Sequence, residues 1–313
     1  MKNLIRSLKL LLCLTLSVPA FAAPDTSTDN PTEEKRIPLW HIITDIPDTS
    51  WDGLKRAFRK EAIPGWGIVL GSTAVLYQYD EDILHDVQSK GRAWGLGNSV
   101  NYKSTIELGN LTILSTPTDT AGWLYFMGDG TIPIALSVAM IGTGYFGDKT
   151  RAYNTGVEMA NGLVTAGIFD QVAKHMFGRQ SPSAATQDRG DWHPFANLKT
   201  YSQKTAAYDA MPSGHIMSAA VMFAVLEEEY SEYNYIFYPA EVVWLSILGF
   251  GMVNVGVHWA SDYPLGIAMG HLFGKSAVAI HHPERYKTLS KWQFMPATDP
   301  ATGTPTLSAL YTW

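Results

Sequence analysis

The alternation of apolar and polar positions divides the chain into a short apolar leader, a series of apolar segments and one long polar loop. Lys2, Arg6 and Lys9 precede an apolar run from Leu10 to Val18, and Ala20-Phe21-Ala22 follows with small residues. This order predicts an export signal over 1–22 with the mature chain starting near Ala23. Residues 23–37 are rich in Pro, Thr, Asp and Glu and read as a flexible leader. Pro64–Tyr77 reads as a short buried helix. Residues 91–117 mix glycine, asparagine and β-branched residues, and the pattern leaves helix or strand open. Thr118–Tyr145 is apolar but broken at Gly128-Asp129-Gly130.

The second half is more regular. Thr150–Phe177 predicts a helix whose buried stripe is Val157, Met159, Leu163, Val164, Ile168 and Val172, capped at Gly178. Residues 179–210 form a loop long enough to be functional. Met211–Tyr230 predicts a helix entered through Pro212 and Ser213. Tyr235–Val257 is apolar except for Glu241. Residues 262–280 predict a helix with Gly266, Gly270 and Gly274 spaced by four, which permits close helix contact. Together these elements predict an all-α fold: one helical domain over 38–285, followed by a C-terminal extension over 286–313.

Composition narrows the function classes. The only cysteine of the 313 residues, Cys13, lies in the export signal, so the mature chain offers no disulfide, thiol nucleophile or thiolate metal site. The formal charge is −6, and loss of the three basic residues of the signal makes it more acidic. No nucleic-acid partner is expected, because that requires a basic face. An export signal without disulfides suits a bacterial periplasm. The uncharged runs Thr131–Gly147 and Val242–Val257 are shorter than a bilayer span, and the mean hydropathy of −0.03 suits a soluble domain that grazes a membrane surface.

Two histidine motifs carry the candidate chemistry. Pro212-Ser213-Gly214-His215 places an N-capping serine and a glycine at a helix start, where outward N–H groups and the helix dipole favour an anion. His215 in the first turn can serve as a proton donor. His258-Trp259-Ala260-Ser261-Asp262 places a histidine and a carboxylate four residues apart, and so on one helical face. A carboxylate that holds one ring nitrogen leaves the other free to attack. Lys174 and Arg179, near the end of the preceding helix, are candidate anion ligands. Trp259 reads as core, and His41, His85, His271, His281 and His282 read as structural or surface residues.

In this order and spacing the residues resemble the type 2 phosphatidic acid phosphatase superfamily, which includes class A acid phosphatases, lipid phosphatases and vanadium haloperoxidases. Its motifs are a lysine, six residues and Arg-Pro; then Pro-Ser-Gly-His; then Ser-Arg, five residues, a histidine, three residues and an aspartate. The resemblance covers roughly residues 156–275. It implies His258 as nucleophile, Asp262 as its orienting acid and His215 as general acid. Lys174, Ser213 and Gly214 would bind phosphate, and the phosphatase reaction requires no metal or cofactor.

The chain departs from the pattern at two arginines. Ser181 stands before Pro182, and Met252 stands six residues before His258. Each lost charge-assisted phosphate bond is worth about 1.5–3 kcal/mol. Three outcomes follow. Arg179, Arg189 or Lys204 replaces the lost charge; or the substrate is less charged, such as a phosphodiester or a carboxylic ester cleaved by an esterase or acyltransferase; or the chain is an anion- or lipid-binding module without catalysis. The expected activity is hydrolysis or transfer at a lipid or isoprenoid phosphate through a phosphohistidine. Trp192, His193, Phe195 and Tyr201 in the long loop form either a lid over an apolar tail or a satellite core.

Overall fold

The computed structural model describes residues 35–108, 111–286, 292–298 and 305–311. The export signal and most of the leader lie outside the described residues. The leader's last residues are tied down: the Ile37 amide donates to Asn154 Oδ1 at 2.9 Å, and Asn154 Nδ2 donates to the Lys35 carbonyl at 3.0 Å.

The described residues form ten α-helices and two small hairpins. In chain order these are α1 (His41–Thr44), α2 (Ile46–Phe58), α3 (Ile63–Ala93), β1 (Tyr102–Leu108) and β2 (Leu111–Pro117). Next come α4 (Thr120–Phe126), α5 (Thr131–Phe146), α6 (Thr150–Phe177), α7 (Leu198–Gln203), α8 (Gly214–Glu229), α9 (Asn234–Val255) and α10 (Tyr263–Ala279). The last are β3 (Trp292–Thr298) and β4 (Pro305–Tyr311). Both hairpins are antiparallel. The architecture is all-α.

α8 is the central element. Its residues from Ile216 to Val225 are all buried, as expected of a helix that is apolar all round. α10 packs along it through the glycine stripe. A Cβ on Gly266 would lie 2.7 Å from the Ser213 carbonyl, one on Gly270 would lie 2.5 Å from the Ala220 Cβ, and one on Gly274 would lie 2.9 Å from the Ala224 Cβ. These distances are below contact, so only glycine permits this spacing. The stripe sets where the N-terminus of α8 stands relative to the loop before α10.

Two elements differ from the sequence expectation, and the break at Gly128–Gly130 matches it. The region 91–117 closes as the β1–β2 hairpin after α3, which runs 31 residues rather than the expected short segment. The break at Gly128–Gly130 separates α4 from α5, whose axes bend by 56°. α6 has the expected limits and the expected left-handed Gly178 (φ 59°), but its buried face is different. Val157 and Met159 are buried, whereas Ile168 is 47% and Val172 53% exposed; Glu158, Asn161, Thr165, Asp170 and Lys174 point inward instead. Apolar periodicity located the helix without revealing which face the protein covers.

Ser231–Val255 is long and apolar enough to cross a bilayer by length and composition. This exceeds the shorter run Val242–Val257 seen in the sequence, because the apolar stretch continues through Pro239 as helix.

Candidate active site

His258 does not lie on a helix. α9 ends at Gly256, whose φ of 74° is a left-handed C-cap. His258 then sits in extended chain before a single 3-10 turn, Ala260–Asp262. The side chains of His258 and Asp262 are therefore not stacked by helical spacing. His258 Nδ1 lies 3.7 Å from Asp262 Oδ2 but 2.7 Å from the Ala210 carbonyl. A carbonyl only accepts, so Nδ1 carries the hydrogen and Nε2 presents its lone pair. The orienting partner is thus a backbone oxygen at the entrance to the Pro-Ser-Gly-His motif. Asp262 acts one step further away. Its Oδ2 accepts from the Trp259 amide at 2.8 Å and holds the turn that follows His258.

His258 Nε2 faces His215 Nδ1 at 3.2 Å, across 43 residues of chain. With the Nε2 lone pair turned outward, His215 Nδ1–H is the donor of this bond. The two motifs are joined again behind the rings, where the Ser213 amide donates to the Asp262 carbonyl at 3.1 Å. Ser213 caps α8, its hydroxyl accepting from the Ile216 amide at 3.4 Å. Tyr125 of α4 packs edge-on against the His215 ring at 4.4 Å between centroids. His215 keeps some residue surface, but its Nε2 is sealed and without a hydrogen-bond partner. Burial pushes its pKa well below the usual imidazole value, and the neighbouring His258 and Lys174 push it the same way.

Lys174 reaches the start of α8. A Cβ on Gly214 would lie 3.5 Å from its Nζ and 2.9 Å from Asp170 Oδ2. The lysine is shared with two acids, Asp170 at 3.5 Å and Asp209 at 3.9 Å. Burial raises the Asp170 pKa, an effect that Lys174 and His258 partly offset. The head of the helix therefore carries one ammonium beside two carboxyl groups, one of them inclined to hold a proton.

Arg179 requires a correction. It was expected to meet the substrate anion, yet it is fully buried. One terminal nitrogen donates to Ser261 Oγ at 2.7 Å and Asp262 Oδ1 at 2.6 Å; the other donates to Asp80 Oδ2 at 2.7 Å. Nε and the second terminal nitrogen also reach the Arg189 carbonyl. The rings of Tyr77, Trp192 and Trp259 surround the guanidinium at 5.0–5.2 Å. No donor is left for a ligand. Arg179 locks α3, the long loop and the His258 turn together.

Of the other candidate replacements for the missing arginines, one is engaged elsewhere. Arg189 lies over Tyr77, and Lys204 is exposed. Ser181 is buried, and Met252 is sealed in the core with Leu248 and Trp259. The long loop folds onto the end of α6: Trp192 packs on Phe177 and Tyr77, His193 on Tyr208, and Tyr201 on both Tyr208 and His175. Phe195 stays exposed.

The structure thus brings His258, His215, Ser213, Gly214 and Lys174 to one place, sets Asp262 behind them and removes Arg179 from the ligand-facing set. Sequence reasoning missed Asp170, Asp209, Ala210, Tyr125 and Asp80. Asp170 carried a signal, as the acid four residues before Lys174 on the same helix. Asp80 carried none, since its partners are about 100 and 180 residues away.

Chemically, the arrangement offers a nucleophilic nitrogen with a set tautomer, a second imidazole in contact with it and a helix start with one ammonium. Comparison with curated proteins and with solved structures gave no match. A family model does match: residues 155–286 fit that of the PAP2 superfamily. This segment holds both histidine motifs, Lys174 and the helices that carry them, and it is similar to the PAP2 superfamily, whose members typically hydrolyse phosphoesters.

Proposed function

We propose that the protein hydrolyses or transfers a phosphoester of an amphiphilic substrate, with at most one negative charge on the reacting phosphorus, through a phosphohistidine on His258. The observation that carries this reading is the free lone pair of His258 Nε2, held toward His215 at the head of α8 by the Ala210 carbonyl.

The step follows from that geometry. His258 Nε2 attacks phosphorus, forming the P–N bond while the bond to the leaving oxygen breaks. His215, which takes up a proton as the anionic substrate enters, passes that proton to the oxygen, which departs as an alcohol. Water then attacks phosphorus, the P–N bond breaks, and phosphate and free imidazole result. At 3.2 Å the two rings leave no room for a phosphoryl group between them, so the His215 ring turns aside as substrate enters.

Two features support the substrate class. Lys174 is shared with Asp170 and Asp209, and no arginine joins it, so a dianionic monoester meets too little positive charge. A monoanionic diester, or a monoester whose oxygen accepts a proton from Asp170, meets a better match. The outer face of α6 is apolar at Val164, Ile168, Val172 and Met176, on the side of the helix turned away from the buried Lys174. Trp123, Ile134, Val138 and Phe146 extend exposed apolar surface over α4 and α5. An acyl or isoprenoid tail, or the bilayer that holds it, suits such a surface.

The test is a comparison of p-nitrophenyl phosphate, its bis-ester and a lipid phosphate dispersed in detergent, each with wild type and His258→Ala. The lipid or the bis-ester is expected to turn over at least tenfold faster than the simple monoester, and His258→Ala to abolish all turnover. Turnover that survives His258→Ala would overturn the reading. Binding without turnover of any of the three would favour a lipid- or anion-binding module instead.

A further inference from the structure

At the other end of α8, three side chains from three helices converge on one buried point. Glu227 of α8 is 3% exposed, Glu241 of α9 fully buried and His271 of α10 8% exposed. Their ligand-type atoms all lie within 4.8 Å of one another. His271 Nε2 and Glu241 Oε1 are 2.8 Å apart. Neither carboxylate oxygen of Glu227 meets a donor group, and Glu241 Oε2 meets none either, so the two carboxyls face each other with only a shared proton to join them. Buried carboxylates left in this way are strongly unfavourable unless something neutralises them. Lys275 brings a positive charge nearby, but it is paired with Glu228 at 3.1 Å. With His271 neutral, as a metal ligand must be, Glu227, Glu228 and Glu241 against Lys275 leave two negative charges.

We propose that Glu227, Glu241 and His271 form a divalent-cation site. Two carboxylate oxygens and one imidazole nitrogen are the donor set of a zinc- or manganese-class ion. Such an ion supplies the two missing positive charges and gives the free oxygens of Glu227 a partner. The site clamps α8, α9 and α10 at the end opposite the histidine pair, since twelve residues of helix separate Glu227 from His215, about 18 Å. Its role is therefore to hold the helices and not to act on substrate.

A second group of the same composition shows the contrast. Glu158, Glu229 and His282 also cluster, but Arg285 meets Glu229 at 2.5 Å and Arg151 binds its carbonyl, so that site brings its own cations. The third group, His41, Asp45 and His281, is partly exposed, and its acid already has both histidines within 3.1 Å.

In the absence of a metal, a proton could be shared between Glu227 and Glu241. Burial, with Glu241 adding to it, pushes the Glu227 pKa up to about 8, and His271 and Lys275 oppose the rise. The experiment separates a cation from a proton. Purified full-length protein is assayed for metal by mass spectrometry, then stripped with chelator and titrated with zinc or manganese chloride while its melting temperature is followed. The expected result is one equivalent per chain and a metal-dependent rise in melting temperature. Glu227→Gln and His271→Gln are each expected to weaken binding at least tenfold, and His41→Ala to leave it unchanged. If Glu227→Gln fails to fold, His271→Gln decides alone. An unresponsive wild type, or metal binding that survives both substitutions, would overturn the proposal.

Discussion

Arg179 is the residue on which the site's rigidity depends. It neutralises Asp80 and Asp262 together, in a space closed by three aromatic rings. Removing one partner of a buried ion pair costs about 3–5 kcal/mol, because the acids left behind are uncompensated. Arg179→Ala is therefore expected to lower unfolding free energy by about that amount in urea titration. Arg179→Lys is expected to recover little of it, since an ammonium cannot span both acids as a guanidinium does. A phosphate-binding arginine would instead affect KM and leave stability nearly unchanged.

His215 gives a second prediction at this scale. Its folded pKa lies below the unfolded value of about 6.5, so the folded state binds fewer protons as the solution is acidified. The stability conferred by the neutral ring is complete above pH 6.5 and is lost as pH falls below it. Wild type should lose melting temperature between pH 7 and pH 5, and His215→Gln should lose less over that interval. An equal slope in both would contradict the burial argument.

The glycine stripe of α10 acts at the scale of elements. It brings α10 against α8 from Ser213 to Ala224, and so sets the distance between the two histidine motifs. A methyl group at Gly270 meets the Ala220 Cβ and the Met217 carbonyl, both at 2.5 Å, and the Met217 carbonyl is backbone and cannot move aside. Gly270→Ala is expected to cost about 1–3 kcal/mol by overpacking. It should also lower kcat by more than stability alone explains, because it displaces His215 from His258. Denaturation and steady-state kinetics on the same preparation check both parts.

Much of this level was legible beforehand. The limits of α6, α8 and α10 followed from periodicity, from Gly178 and from Ser213, whose caps are local chemistry. The His258 turn was not legible, because Gly256 ends α9 two residues before the histidine and only its left-handed conformation shows this. The Ala210 carbonyl was likewise hidden, since backbone acceptors leave no trace in residue identity.

For the whole molecule, the exposed apolar surface of α4, α5 and α6 is what the proposed contact with an amphiphilic substrate or its bilayer rests on. α6 turns Asp170, Lys174 and Glu158 inward and Ile168, Val172 and Met176 outward, the reverse of a helix that packs its apolar face into a core. The sequence displayed these residues but gave no reason to prefer either face, since a buried stripe and a lipid-facing stripe have the same spacing. The protein is expected to float with phosphatidylglycerol-containing vesicles in a density gradient. Replacing Ile168 and Val172 by serine should weaken that association by about tenfold or more, taking about 1.5–3 kcal/mol for each buried side chain. Unchanged flotation would place the contact elsewhere.

The account as a whole rests on His258 Nε2 becoming bonded to phosphorus. The most direct measurement is rapid acid-free quenching of the enzyme during turnover of a labelled lipid phosphate, followed by peptide mass spectrometry. A phosphoryl group on His258, present in wild type, diminished in His215→Gln and absent in His258→Ala, is the predicted result. Sustained turnover with His258 unmodified, or with the label on another residue, would contradict it.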